Sequence, residues 1–311
     1  MEFEDLQRTT TMATPQEKIA ASFETTIDFK NPIWNRDAWA RIQGDLNPEN
    51  ERIGYAAGDV LGVVPGQATK PLCGFETFLA TRLIPNEDGT IRRLNKEVIF
   101  YTDLNPDPGS RRMIDSWTNP WTDEEVKVVH VANDPFNYTI SEWLILAPED
   151  FPTDGSKPKM RKIPLLFPWR QVGDKLVLQT DMHLYYPNAL QPDKWPRESA
   201  GKMSRVSEIF RYWMDIADLE NPELTAVPYV GTWCRITPWL PWMLKGQDPG
   251  HCLYVGLMTG SSSWDIVPDH VRAFAEERYP NMLSAPTEDY GPSISSLEYF
   301  AREQTPAPAK D

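Results

Sequence analysis

The sequence predicts a mainly β protein of the α+β kind. One antiparallel sheet is expected, barrel-like or strongly curled, with flanking helices. Three observations predict it. There are 29 prolines in 311 residues. An interior proline removes a helix hydrogen bond and clashes with the preceding turn, so long helices are disfavoured. Between the prolines run segments that alternate apolar and polar residues, the period of a half-buried strand. The turns between these segments are too short for parallel crossovers. An antiparallel sheet of about nine strands curls or splits into two layers.

Taken in order, residues 1–14 read as a disordered tail, 15–300 as one β-rich domain and 301–311 as a second tail. Amphipathic helices are expected near Pro15–Phe23 and Arg36–Leu46. "GDVLGVVPG" and "LCGFETFLATRLIP" are strand-like and end in Pro-Gly and "PNEDGT" turns. "LNKEVIFYTD", "RRMIDSWTN" and "VKVVHVAN" continue as an antiparallel meander. In "DKLVLQTDMHLYY" (174–186), Leu176, Leu178, Met182 and Leu184 share one face. Val177, Gln179, Asp181, His183 and Tyr185 share the other. "MSRVSEIFRYWMDIADL" (203–219) sets Val206, Ile209, Phe210, Trp213 and Ile216 at helical spacing, and a helix is expected. "YVGTWCRIT" and "HCLYVGLMTG" are strands, and "PDHVRAFAEERY" is a last helix.

Composition excludes several classes. Lys and Arg number 31 and Asp and Glu 45, a net charge of −14. Such an acidic chain repels nucleic acids and anionic membranes. No stretch approaches the roughly 18 apolar residues of a membrane helix. The N-terminus is polar and acidic, unlike a secretory leader. Cys73, Cys234 and Cys252 lie far apart and make no disulfide framework. A cytoplasmic location is therefore expected, with the oligomeric state left open.

Motifs for the common cofactors are missing. The sequence has no Gly-x-Gly-x-x-Gly opening a helix, no Walker A run and no Gly-x-Ser-x-Gly elbow. Nor is there a Cys-x-x-Cys, and the four histidines lack metal-ligand spacing. The expectation is chemistry by side chains alone, with no cofactor and no metal site marked by the sequence, an unmarked metal being the alternative.

Candidate residues follow from strand phase. On Val126–Asn133, His130 shares a face with Val126, Val128 and Ala132, while Lys127 takes the other. His130 is either a satisfied core histidine or an acid, base or donor in an apolar lumen, with burial favouring its neutral form. Asp181 and His183 lie two residues apart on the polar face of their strand, which faces solvent or a wet lumen. Arg235 stands between Trp233 and Thr237 on one face. Inward, it would hold an anionic or carbonyl group; outward, it would pair with an aromatic ring. Trp121, Trp169, Trp239 and Trp242 each follow a proline, which confines them to strand ends. With Trp117, Trp233 and Tyr185 they would line a cavity for a large apolar substrate, or else plug the core. Asn133, Asp134 and Asn137 flank Pro135 and read as turn chemistry.

The blocks "SWTNPWTDEEVKVVHVANDPFNY", "LYYPNALQP", "GTWCRITPWLPWMLKGQDPGHCLYVGL" and "SSLEYF" together resemble the domain of unknown function 1838 family, over about residues 40 to 300. The resemblance implies relatives in bacteria and filamentous fungi, and a short form found with fungal natural-product pathways. By analogy, such cofactor-free proteins act as cyclases, isomerases or dehydratases. Three functions are therefore expected in competition. The first is a Diels–Alderase-like cyclase or isomerase of a hydrophobic terpenoid or polyketide intermediate. The second is an acid–base dehydratase or hydrolase of a small lipophilic substrate. The third is a non-catalytic small-molecule binder.

Overall fold

The computed structural model describes residues 23–107, 110–132, 137–146, 160–289 and 293–308. The expected tail at 1–14, most of the expected first helix, and Asn133 and Asp134 lie outside them.

Nine strands form one antiparallel sheet that bends into a half-barrel. Its long members are β1 (Arg52–Val63), β2 (Lys70–Pro85), β3 (Ile91–Thr102), β10 (Lys175–Pro187), β11 (Met203–Asp215), β12 (Tyr229–Thr237) and β13 (His251–Ser261). Short β6 (Tyr138–Ile140) and β9 (Arg170–Val172) are the edges, and the order is β6-β3-β2-β1-β13-β12-β11-β10-β9. Among the described residues β6 and β9 do not pair with each other, so the curl does not close. Two hairpins stand apart: β4 (Ser116–Thr118) with β5 (Glu125–Lys127), and β7 (Trp143–Leu146) with β8 (Arg161–Pro164).

Register assigns the faces. Val60 pairs with Tyr254, Tyr254 with Arg235, and Arg235 with Glu208. These residues point into the concave side, together with Phe75, Tyr101 and Trp233. Gly256 matters here, because a Cβ on it would press within 2.7 Å of the Phe75 ring. Helix α1 (Pro32–Gln43) contributes Trp34, Ala38 and Ile42 to the same concave core. Asn31 caps its start by accepting from the Ile33 N–H, with Pro32 in the first turn. It therefore begins before the expected Arg36. It ends at Gly44, where any side chain would collide with Leu83.

The convex side is divided. Over β1–β3, helix α3 (Asp269–Arg278) lays Val271 and Ala275 on Ile53, Phe78, Val98 and Phe100. Over β12 and β13 the described residues leave Val230, Ile236, Val255 and Leu257 exposed.

Three expectations need correction. Residues 203–215 form a strand, β11, and only Ile216–Glu220 form a short helix, α2. Val206 and Phe210 fit either period, but Ser204, Val206, Glu208, Tyr212 and Met214 are buried at every second position. Two flanking strands complete the backbone bonds of β11, and tertiary pairing overrides the helical spacing. The expected strand Val126–Asn133 shrinks to β5 plus a single bridge between Val131 and Ile99. Residues 301–303, expected in a tail, lie in a helix. Helix α4 (Ser296–Glu303) opens with a capping box between Ser295 and Glu298, and beyond it the Ala307 N–H bonds Glu198. Among the described residues no helix is long and apolar enough to cross a membrane.

Candidate functional site

Arg235 settles inward. On the floor of the concave face it meets Glu208, with Nε 3.7 Å from Oε1, and its guanidinium lies 6.0 Å from the centroid of the Tyr254 ring. The other Glu208 oxygen accepts from Trp233 Nε1 at 2.9 Å. Glu208 is thus held from the next strand by one hydrogen bond and one ion pair, which offset the cost of burying its charge. Beyond Arg235, the Tyr254 and Tyr101 hydroxyls meet at 3.0 Å. Burial pushes both phenols up, so both stay protonated near neutral pH. Two phenols share one proton between them and keep a second.

Arg235 and the two phenols face a cavity of about 50 Å³, room for a few waters. Ile99, Val129 and Val131 form one wall and the Pro238–Trp242 turn another. Helix α4 roofs it with Leu297 and Phe300, the latter against Trp195 at 5.6 Å. Trp242 also lines it, 5.1 Å from the Tyr101 ring, and its buried N–H has no acceptor among the described residues. Two acceptors of the wall are engaged: Asn188 Oδ1 takes the Leu190 N–H, and Glu198 takes the Ala307 N–H. The hydroxyls of Ser204, Thr237 and Tyr299 also line the cavity, so its polar wall offers both donors and acceptors.

The remaining sequence candidates separate into groups. Trp239 lines the cavity, but its N–H goes to the Asp248 carbonyl. Trp121 packs edge-on to Trp239 at 5.3 Å with Lys245 Nζ 4.2 Å above its ring, a wedge that braces the turn. Trp117 donates to the Leu72 carbonyl and packs on Trp242 at 5.6 Å. Trp233 packs edge-on to Phe75. Trp169 lies elsewhere, against Trp34.

His130 is buried but out of phase with the cavity, which Val129 and Val131 line. Its ring packs on Phe100 and Phe274, under α3. Nδ1 accepts the Tyr101 N–H at 3.1 Å, so the ring proton sits on Nε2. Burial lowers its pKa to about 4, with Arg278 adding to the shift and Asp115 opposing it. A ring whose lone pair is spent on a strand N–H has none left for general-base work.

Asp181, His183 and Tyr185 lie on the convex face, as one of the two sequence alternatives held. Asp181 and His183 do pair, with Nε2 3.0 Å from Oδ2, but far from the Arg235 floor. Sequence reasoning did not single out Tyr101 or Tyr254, which are 153 residues apart and meet only because the sheet curls. No group of three or more His, Cys, Asp or Glu among the described residues could hold a metal ion.

A protein-family model described as a protein of unknown function, DUF1838, matches residues 50–304. No curated protein matches the chain.

Proposed function

The chain belongs to the DUF1838 family, and from that premise we propose a cofactor-independent cyclase or isomerase. Its substrate is a hydrophobic, carbonyl-bearing intermediate of secondary metabolism, of terpenoid or polyketide type. One observation carries the reading: an aromatic-walled cavity lined by Arg235, by the Tyr101–Tyr254 hydroxyl pair and by a Trp242 N–H that has no acceptor among the described residues. Arg235, the spare phenol proton of the Tyr101–Tyr254 pair and the Trp242 N–H would bind a carbonyl oxygen and draw electron density toward it. That polarisation speeds a pericyclic or isomerisation step, and the rigid rings hold a folded conformer. No nucleophile is required.

About 50 Å³ does not admit a polycyclic substrate. Entry on this reading requires α4 to lift, and its closure expels water before reaction. The test is incubation of the purified chain, without added cofactor, with intermediates from neighbouring biosynthetic steps. A product of unchanged mass and new skeleton supports the reading. Loss of water supports a dehydratase instead.

A further inference from the structure

The convex face carries a second arrangement that the concave cavity does not use. Register sets His183 on β10 directly opposite Ser207 on β11. Ser207 Oγ lies 3.0 Å from His183 Nδ1, and His183 Nε2 lies 3.0 Å from Asp181 Oδ2. An ionised carboxylate only accepts, so Nε2 carries the ring proton. Nδ1 then turns its lone pair to the Ser207 hydroxyl. A hydroxyl, a base within reach of its proton and a third group fixing the tautomer make an activated nucleophile. His183 differs in this from His130, whose lone pair holds a backbone N–H.

The surroundings suit an acyl substrate. Ser207 lines an open groove of about 580 Å³, with Arg205, Gln247 and His251 among its walls. Arg205 lies two residues before Ser207 on the same strand face and brings positive charge to the groove, while Asp248 in its wall is ion-paired with Lys245. Opposite Ser207 stands Ile236, and from there the exposed face of β12 and β13 is apolar through Val255 to Leu257, which is 73% exposed. An apolar face this open invites an apolar partner.

The geometry points to a second activity: Ser207 is a nucleophile toward esters with an apolar acyl chain, with His183 as its base and Asp181 as a positioning residue. Ser207 Oγ bonds to the acyl carbon as its proton passes to His183 Nδ1. The ester C–O bond breaks, and the leaving alkoxide takes that proton to depart as an alcohol. Water then gives a proton to His183 and attacks the acyl carbon. The carboxylic acid leaves and the proton returns to Ser207 Oγ. The groove's Arg205 charge stabilises the oxyanion in both halves.

Full-length protein treated with a long-chain alkyl fluorophosphonate, followed by intact mass and peptide mapping, tests this. One adduct on Ser207 is expected. Ser207→Ala should abolish it, and His183→Ala should slow labelling at least tenfold. Asp181→Asn should slow labelling several-fold with an unchanged unfolding midpoint, and Asp181→Glu should restore it. p-Nitrophenyl butyrate should be cleaved faster than the acetate, and not at all by Ser207→Ala. No adduct, an adduct elsewhere, or labelling undiminished in His183→Ala overturns the assignment. The concave reading stands or falls separately, because none of its donors is altered in these variants.

Discussion

The two faces of one sheet each carry a polar cluster, one buried and one exposed. On the concave side, Arg235 and Glu208, with side chains 14% and 11% exposed, and the two buried phenols lie among aromatic rings beneath α4. On the convex side, Asp181, His183 and Ser207 stand in solvent, with the Asp181 and His183 side chains 53% and 61% exposed. Burial decides what each set can do. A buried donor acts at nearly full electrostatic strength but must be paired or costs stability. An exposed chain of hydrogen bonds costs and contributes little, and its chemistry rests on geometry alone.

The largest contrast should come from Arg235. Arg235→Met removes the positive charge beside the buried Glu208 carboxylate and a donor from the cavity. Loss of about 3 kcal/mol is expected in urea unfolding, since one partner of a buried pair is left uncompensated. Turnover should fall about 100-fold or more, the usual cost of a lost oxyanion donor. Ser207→Ala should change stability by less than about 0.5 kcal/mol. If both variants unfold alike, the faces do not differ as described.

His130 supplies the next effect, through pH. Its folded pKa, about 4, lies below the ordinary histidine value. Its contribution is therefore fully present above pH 6.5 or so and lost as pH falls toward 4, because the unfolded chain takes up the proton first. The loss amounts to about 3 kcal/mol at most. Urea midpoints followed from pH 7 to 4 should fall in the parent and fall less steeply in His130→Gln. Equal slopes would remove His130 from the account. Turnover itself should stay nearly flat from pH 6 to 8, since no group that titrates there acts in the cavity.

Tyr254→Phe should cost about 1 kcal/mol, one buried hydrogen bond, and lower turnover about tenfold. Circular-dichroism melts and initial rates check the two numbers. The smallest effect belongs to Asp181→Asn, whose unfolding midpoint should match the parent.

The sequence made some of this legible. Alternation in β10 puts Leu176 and Leu178 on one face and Asp181, His183 and Tyr185 on the other, but leaves solvent and a wet lumen as alternatives for the second face, and the sheet's register places it outside. Proline placed Trp121, Trp239 and Trp242 at turns, and two of them line the cavity. What stayed hidden depends on long-range geometry. Whether Arg235 pointed inward needed the register with Tyr254 and Glu208. The Tyr101–Tyr254 contact needed the curl, and the His183–Ser207 pair needed 203–215 to be a strand. A helix there would have carried Ser207 away from β10. His130 was read correctly as buried, but the kink after β5 took it to the α3 side.

The central claim is that mass-neutral chemistry belongs to the concave floor. The direct measurement is the cofactor-free turnover rate of the parent, Arg235→Met and His183→Ala on one cyclisable, carbonyl-bearing substrate, with product mass determined. The account predicts an isomeric product, a rate reduced about 100-fold or more in Arg235→Met and an unchanged rate in His183→Ala. A product lacking water, or a rate indifferent to Arg235 and abolished with His183, would contradict it.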